Sequence, residues 1–262
     1  MNSAAEAPGA PGEVAALRGV HKSFGGRAVL KGVDLDVPPG RISVVLGGSG
    51  SGKSTALRIL LGLESYDSGS VRLLGSEMSS VGRSRHGALM LNTGVLFQFG
   101  ALFDSMSVGE NVGFALRHVR RMPEAEVRRI CRETLRLVGL GDIESLYPAQ
   151  LSGGMRKRVA LARAIAHQPR VLFVDEPTTG LDPVVSDTIN DLILQMRDRL
   201  GATVLCITHD LAAAFKLADH MAMLYEGRMI ASGTPEQMRA NPNPVVQQFI
   251  AGRAQGPIGA DG

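Results

Sequence analysis

The sequence predicts an α/β fold: a mostly parallel sheet covered by helices on both faces, joined to an antiparallel β region and interrupted by a helical block. Three observations carry that expectation. Gly47-Gly48-Ser49-Gly50-Ser51-Gly52-Lys53-Ser54-Thr55 fits the phosphate-loop pattern G-x-x-x-x-G-K-[ST], with an apolar β-branched run before it at 41–46 and helical spacing after it at 54–63. From Val171 onward, apolar strands alternate with helical patterns, which implies parallel strands joined by crossover helices. Between these regions, the runs at 108–118, 123–138 and 153–167 all carry apolar residues at helical spacing and predict a helical subdomain inserted between strands.

Taken in order, the runs at 14–20 and 33–37 predict two strands about a Gly25-Gly26 turn. Pro38-Pro39-Gly40 then turns the chain into the strand that precedes the loop. The segment at 70–75 is a short strand after the Asp67-Ser68-Gly69 turn, and 94–98 is a strand that ends on a polar residue, Gln98. Pro123-Glu124 gives the second helix of the block a favourable start, and Gly139 gives it a stop. Strands follow at 171–174 and 203–208, with helices at 183–200 and 210–218. Strands at 221–225 and 228–231 flank the Glu226-Gly227 turn, and 234–240 is a short helix.

The bulk properties bound the function. A chain of 262 residues with 44% apolar content can bury a substantial core in one large or two small domains. A net charge of +3 is too small to mark a nucleic-acid surface, so no nucleic-acid partner is expected. Cys131 and Cys206 lie far apart in apolar runs and read as reduced core thiols of a cytosolic protein. No run of 18 or more apolar residues is present to span a bilayer. Residues 1–12 are rich in Ala, Pro and Gly without a basic-then-apolar layout, so they predict a disordered tail rather than a secretory signal. Residues 253–262 are likewise expected to be loose.

The chemistry starts at the loop. Its glycines let backbone N–H groups converge on a polyphosphate beside a helix N-terminus. Lys53 can reach the β- and γ-phosphates, and Ser54 can ligate Mg²⁺. Ligands of a parallel sheet bind beyond the carboxyl ends of its strands. Asp175 and Glu176, which end the strand at 171–174, are therefore expected beside the loop. Asp175 would hold Mg²⁺ directly or through water, and Glu176 would orient or deprotonate an attacking water.

Leu151-Ser152-Gly153-Gly154-Met155, followed by Arg156-Lys157-Arg158, resembles the signature motif of ATP-binding-cassette (ABC) ATPases. With the loop at 47–54 and Asp175-Glu176-Pro177 it reproduces that family's order and spacing, and the resemblance extends over roughly 14–248. It implies a RecA-like, mostly parallel sheet with an antiparallel β subdomain. The cassette would run over 13–243 with its helical subdomain at about 100–167, followed by a C-terminal tail at 244–262. It implies ATP hydrolysis with ATP and Mg²⁺, and a head-to-tail dimer. In that dimer Ser152, Gly153 and Gly154 meet the γ-phosphate held by the other copy. Gln98 resembles the Q-loop glutamine that senses Mg²⁺ and the attacking water. Asp182, before Pro183, resembles the D-loop aspartate, and it would also serve as a helix N-cap. His209 resembles the switch histidine, and Phe24 resembles the aromatic that stacks on adenine, although a hairpin aromatic also serves packing. Met155 replaces the glutamine, and Gly48 the proline, that are frequent in the family.

The strings Phe97-Gln98-Phe99-Gly100-Ala101-Leu102-Phe103, Leu-Ser-Gly-Gly-Met at 151–155 and Asn241-Pro242-Asn243-Pro244-Val245-Val246-Gln247-Gln248-Phe249 resemble the Mla-type lipid-transport ATPases. That likeness implies a peripheral subunit on the cytoplasmic side of a bacterial inner membrane, working with a permease and with accessory soluble and substrate-binding subunits to move phospholipid. An ABC ATPase powering transport of another solute, such as a small polar nutrient or a hydrophobic toxicant, is the alternative. The apolar residues after Gln98 would grip a membrane subunit's helix. Phe249 and Ile250 are expected to dock on a partner or on the second copy.

Overall fold

A computed structural model describes residues 13–259. The expected N-terminal tail and the last three residues lie outside that range. The chain forms two sheets. The first is antiparallel, with strands β1 (Ala15–Phe24), β2 (Arg27–Val37), β4 (Ser68–Leu73) and β5 (Ser76–Glu77) in the order β2-β1-β4-β5. The second contains β3 (Ile42–Leu46), β6 (Thr93–Leu96), β7 (Val171–Asp175), β8 (Thr203–Thr208), β9 (His220–Tyr225) and β10 (Arg228–Gly233), in the order β10-β9-β3-β8-β7-β6. Its strands are parallel except for the edge strand β10, which pairs with β9 as a hairpin.

All residues of β3, β7 and β8 are buried, which is why these strands read as continuous apolar runs rather than alternating ones. Their side chains nevertheless alternate between two cores. Ile42, Val44, Leu172, Val174, Val204 and Cys206 face one core, while Val45, Val171, Phe173, Leu205 and Ile207 face the other. The second core is closed by the antiparallel sheet and by helix α1 (Lys53–Leu60). The first is closed by α3 (Val108–His118), α4 (Glu124–Leu137) and α5 (Gly153–Ile165) of the helical block, and by α6 (Pro183–Leu200) and α7 (Leu211–Leu217). Phe173, in the second core, is the largest fully buried side chain among the described residues, and truncation to Ala would cost about 3–5 kcal/mol. Cys131 and Cys206 are free and buried.

Local chemistry fixes the helical block. Ser107 accepts a bond from Glu110 N, and Glu110 Oε2 accepts one from Ser107 N, a reciprocal cap that starts α3. Fully buried Asn111 then ties α3 to the preceding loop: its side chain binds the N–H and C=O of Phe103 and the carbonyl of Met106. Two elements carry no sequence-based expectation, β5 and the helix α2 (Arg83–Met90), whose Arg-Ser-Arg-His-Gly-Ala-Leu-Met has no amphipathic stripe.

The C-terminal region differs from the expected tail. After α8 (Pro235–Arg239), residues Pro244–Ala251 form a helix, α9, with Pro244 at its first position and Asn243 Oδ1 accepting from Val245 N. Val246 is fully buried, and Phe249 and Ile250 pack against the chain's own core. The chain's own core therefore covers Val246 fully and Phe249 and Ile250 only in part. Beyond α9, Gln248 holds the chain back on itself, donating to the carbonyls of Arg253 and Ile258 and accepting from Ile258 N.

Candidate functional site

The loop at 47–53 joins the end of β3 to the start of α1. It is packed rather than free. A Cβ on Gly47 would lie 2.3 Å from Leu224 O, and one on Gly52 would lie 2.7 Å from the Leu30 side chain. Gly52 also has φ 108°, so it turns the chain into α1 at little steric cost. Lys53 is 7% exposed, and its Nζ donates to the carbonyls of Gly47 and Gly48 at 2.7 and 2.9 Å. Burial pulls its pKa below the usual lysine value, an effect opposed by the charges of Glu176 and Asp175.

The two carboxylates arrive from β7, as the strand-end argument requires. Glu176 Oε1 is 4.0 Å from Lys53 Nζ. Its other oxygen is surrounded by donors: His209 Nδ1 at 2.8 Å, the Thr208 and Thr179 hydroxyls each at 3.3 Å, and His209 N at 3.4 Å. Glu176 itself has φ 48°, a left-handed backbone that costs a non-glycine residue about 1–3 kcal/mol and is held by its N–H bond to Ile207 O. Such strain is commonest where a side chain has a task to perform. Asp175 Oδ1 accepts from Ser54 Oγ at 3.4 Å. Its pKa is raised, first by burial and then by the neighbouring Glu176.

The residues fit the groups this arrangement calls for. The Ser51 hydroxyl is buried in the phosphate loop without a hydrogen-bond partner, an orphan that a phosphate oxygen would satisfy. Ser54 and Asp175 present a hydroxyl and a carboxylate to each other, hard oxygen donors of the kind that Mg²⁺ takes.

The other expected site residues are less enclosed. Ser152 is exposed and caps α5, its Oγ accepting from Met155 N. Gly153 is exposed, and a Cβ on Gly154 would lie 2.7 Å from Val185. Asp182, also exposed, caps α6 through Val184 N and Val185 N. Gln98 is half-buried just past β6 and Thr55 is half-buried in the first turn of α1. Phe24 is 45% exposed at the tip of the β1–β2 hairpin, with Lys22 Nζ 4.6 Å from its ring centre. A hollow of about 740 Å³ flanks the loop, walled by Arg27, Val29 and residues 48–51, and Phe24 is not among its walls. The structure thus brings Lys53, Ser54, Asp175, Glu176 and His209 together, and leaves Ser152, Gly153 and Asp182 on open surface.

Two groups escape a motif-based reading. Thr179 and Thr208 bind Glu176 through hydroxyls whose only sequence signal is closeness to the motifs. Lys157 is different. It shares a helical face with buried Ala160, Leu161 and Ala164, so a lysine at that phase of α5 was a visible anomaly.

A phosphate loop at the head of a parallel sheet, with two carboxylates ending a neighbouring strand, defines a nucleotide-binding protein of the P-loop class. The chain matches the ABC transporter family over residues 30–179. It is 41% identical over 243 residues to the probable ribonucleotide transport ATP-binding protein mkl of Mycobacterium leprae, across 93% of this chain and 70% of that one. It is 36% identical over 242 residues to the intermembrane phospholipid transport system ATP-binding protein MlaF of Escherichia coli K12, across 92% and 90%. Among solved structures it is similar to cbiO1 of Clostridium perfringens, part of the ABC transporter complex cbiONQ, with a TM-score of 0.80, 30% identity and coverage of 88% and 92%. It is also similar to the dimeric ATP-binding cassette MJ0796 in a post-hydrolysis state with ADP and Pi, with a TM-score of 0.77, 28% identity and coverage of 84% and 98%. The chain belongs to the ABC transporter family, as an ATP-hydrolysing subunit.

Proposed function

We propose that two copies of this chain hold two ATP molecules between them and convert hydrolysis into movement of a membrane permease that carries phospholipid. The observation that carries the hydrolytic part is the Glu176 carboxylate. One of its oxygens is oriented by His209, Thr208 and Thr179, and the other faces Lys53.

In this reading, residues 47–55 wrap the phosphates with backbone N–H groups, and Lys53 turns from its own loop's carbonyls to the β- and γ-phosphates. Ser54, with Asp175 and Gln98, would hold Mg²⁺, which would supply positive charge to offset that of the phosphates. Glu176 orients the attacking water and takes its proton. His209, already bonded to Glu176, faces the γ-phosphate. Ser152, Gly153 and Gly154 offer a helix N-terminus and a hydroxyl to the nucleotide of the second copy, and Asp182 crosses the interface. Phe24 stacks on adenine, a contact that its exposure allows.

The membrane partner is supported by the surface after Gln98. Phe99 is 86% exposed and Phe103 is 43% exposed. Yet the segment is rigidly held, by Asn111 on one side and on the other by Arg163, which donates to the carbonyls of Gly100 and Ala101. A fixed loop that presents an exposed phenylalanine suits an apolar helix of a permease. Peripheral attachment on the cytoplasmic face of a bacterial inner membrane is supported by the likeness to the MlaF and cbiO1 subunits of transport systems; no helix among the described residues is long and apolar enough to cross a membrane. The phospholipid substrate is supported by the three strings noted above and by the likeness to MlaF across 90% of that protein.

Glu176→Gln tests the mechanism. Turnover should fall by about 10²–10⁴-fold with ATP affinity retained, and turnover within threefold of wild type would remove Glu176 from its role. Affinity purification from detergent-solubilised membranes, with identification of bound proteins and lipid, tests the cargo. A copurifying permease carrying phospholipid supports the reading, and one carrying a small polar solute overturns it.

A further inference from the structure

Helix α5 carries a cation on its buried face. Lys157 is 6% exposed and, among the described residues, has no carboxylate within ion-pair distance. Burial lowers its pKa from the usual lysine value, partly offset by the charges of Asp175 and Glu176. An unpaired buried ammonium is costly unless its donors are satisfied. Here they are satisfied by backbone: Nζ donates to the carbonyl of Gln98 and, at 3.3 Å, to the carbonyl of Glu176. These carbonyls follow the ends of β6 and β7, which pair in parallel with Leu96 opposite Val174. One side chain therefore spans the two neighbouring strand ends that bear the proposed glutamine and base.

The two strand ends need holding. Glu176 sits at φ 48°, and after Gln98 the chain turns through Gly100 at φ 77° and Ala101 at φ 48°. Two turns further along α5, Arg163 grips the carbonyls of Gly100 and Ala101. The helix thus holds the loop after β6 at three carbonyls and the end of β7 at one. The same helix begins at Ser152, on the open surface.

We propose that Lys157 is a positioning residue for hydrolysis: its ammonium clamps the backbone of Gln98 and of Glu176 to α5, so that these two residues keep their spacing and follow any displacement of the helix. This rests on the roles given to Gln98 and Glu176 under the proposed function. It adds a physical link between the helix end that would meet the second copy's nucleotide and the chemistry of the chain's own pocket. A buried lysine that merely fills space would not need to place its donors on both strand ends.

The full chain with Lys157→Met, which keeps the stem and removes the donors, tests the clamp. Hydrogen–deuterium exchange without nucleotide should quicken by about 10-fold or more at 96–101 and 175–180 while the rest of the sheet stays protected. Turnover number should fall by about 10–100-fold, with KM and calorimetric ATP affinity within threefold. Unchanged exchange in both segments, or turnover within twofold of wild type, would overturn the proposal. So would faster exchange spread over the whole sheet, which marks a core role only. If the methionine protein cannot be purified, Lys157→Leu, which also removes the donors, is used in its place, and unchanged exchange at 96–101 and 175–180 overturns the proposal there too. The exchange measurement needs no nucleotide, so its failure overturns the clamp and leaves the reading of Glu176 untouched. Full turnover in Glu176→Gln overturns that reading instead.

Discussion

Lys53 and Ser152 each stand at the N-terminus of a helix, on α1 and α5, but their surroundings are opposite. Around Lys53 the chain supplies everything from within: β2 and β9 press on the loop, carbonyls hold the ammonium, and Glu176 approaches to 4.0 Å. Around Ser152 it supplies only the helix cap, and Ser152, Gly153 and Asp182 stay exposed. One half of the proposed pocket is finished by this chain. The other is an anion-attracting helix end that the chain itself leaves open. On the proposed reading, the half with buried charged groups acts on the chain's own nucleotide and the exposed half on a second copy's.

Substitutions at the two ends should break the molecule in different ways. Lys53→Ala should give the largest effect. It removes the charge-assisted contact to the phosphates, so turnover should fall by more than about 10³-fold and calorimetric ATP affinity should also drop. Unchanged affinity would contradict the role of the finished half. Ser152→Arg should cut turnover by about 10²-fold yet leave the ATP affinity of the single chain within threefold. An equal loss of affinity would mean that the two helix ends are not separate half-sites.

The smallest effect concerns stability. Folded Asp175 has a pKa raised above its ordinary 3.8, so its neighbourhood disfavours the charged form. The resulting penalty is full above the folded pKa and disappears as pH falls below 3.8. Asp175→Asn should therefore raise the Tm of the nucleotide-free protein by about 1–3 °C at pH 7, and the gain should shrink on acidification toward the ordinary carboxylate pKa. A lower Tm at pH 7 would show that the carboxylate is held by its contacts rather than strained by burial.

The finished half was legible in the sequence because its chemistry is local. The phosphate loop and Asp175-Glu176 each sit at the end of an apolar strand, and parallel sheets gather strand ends on one edge. His209 was legible for the same reason, at the end of β8. What holds Glu176 was not legible. Thr179 reaches it from a turn, a contact that depends on packing and leaves no spacing signal, and the phase of Lys157 on α5 marks a lysine on a buried face without showing that it reaches the end of β7. The C-terminal helix was missed for another reason. Asn243-Pro244 is a good helix start, but Phe249 and Ile250 read as docking residues of a tail, and only the fold shows a helix that buries Val246 and packs Phe249 and Ile250 half-buried on the chain's own core. Helix α2 had no pattern to read, since its residues stay largely on the surface.

The central claim is that each ATP needs one half-site from each of two copies. Its most direct test is the mass in solution of the Glu176→Gln protein, in which bound ATP should persist, measured by sedimentation with ATP and Mg²⁺. The account predicts a shift from the 27.7 kDa chain to twice that mass, reversed by Ser152→Arg with ATP still bound. An ATP-loaded protein that stays at the mass of one chain, or a dimer indifferent to Ser152→Arg, would contradict it.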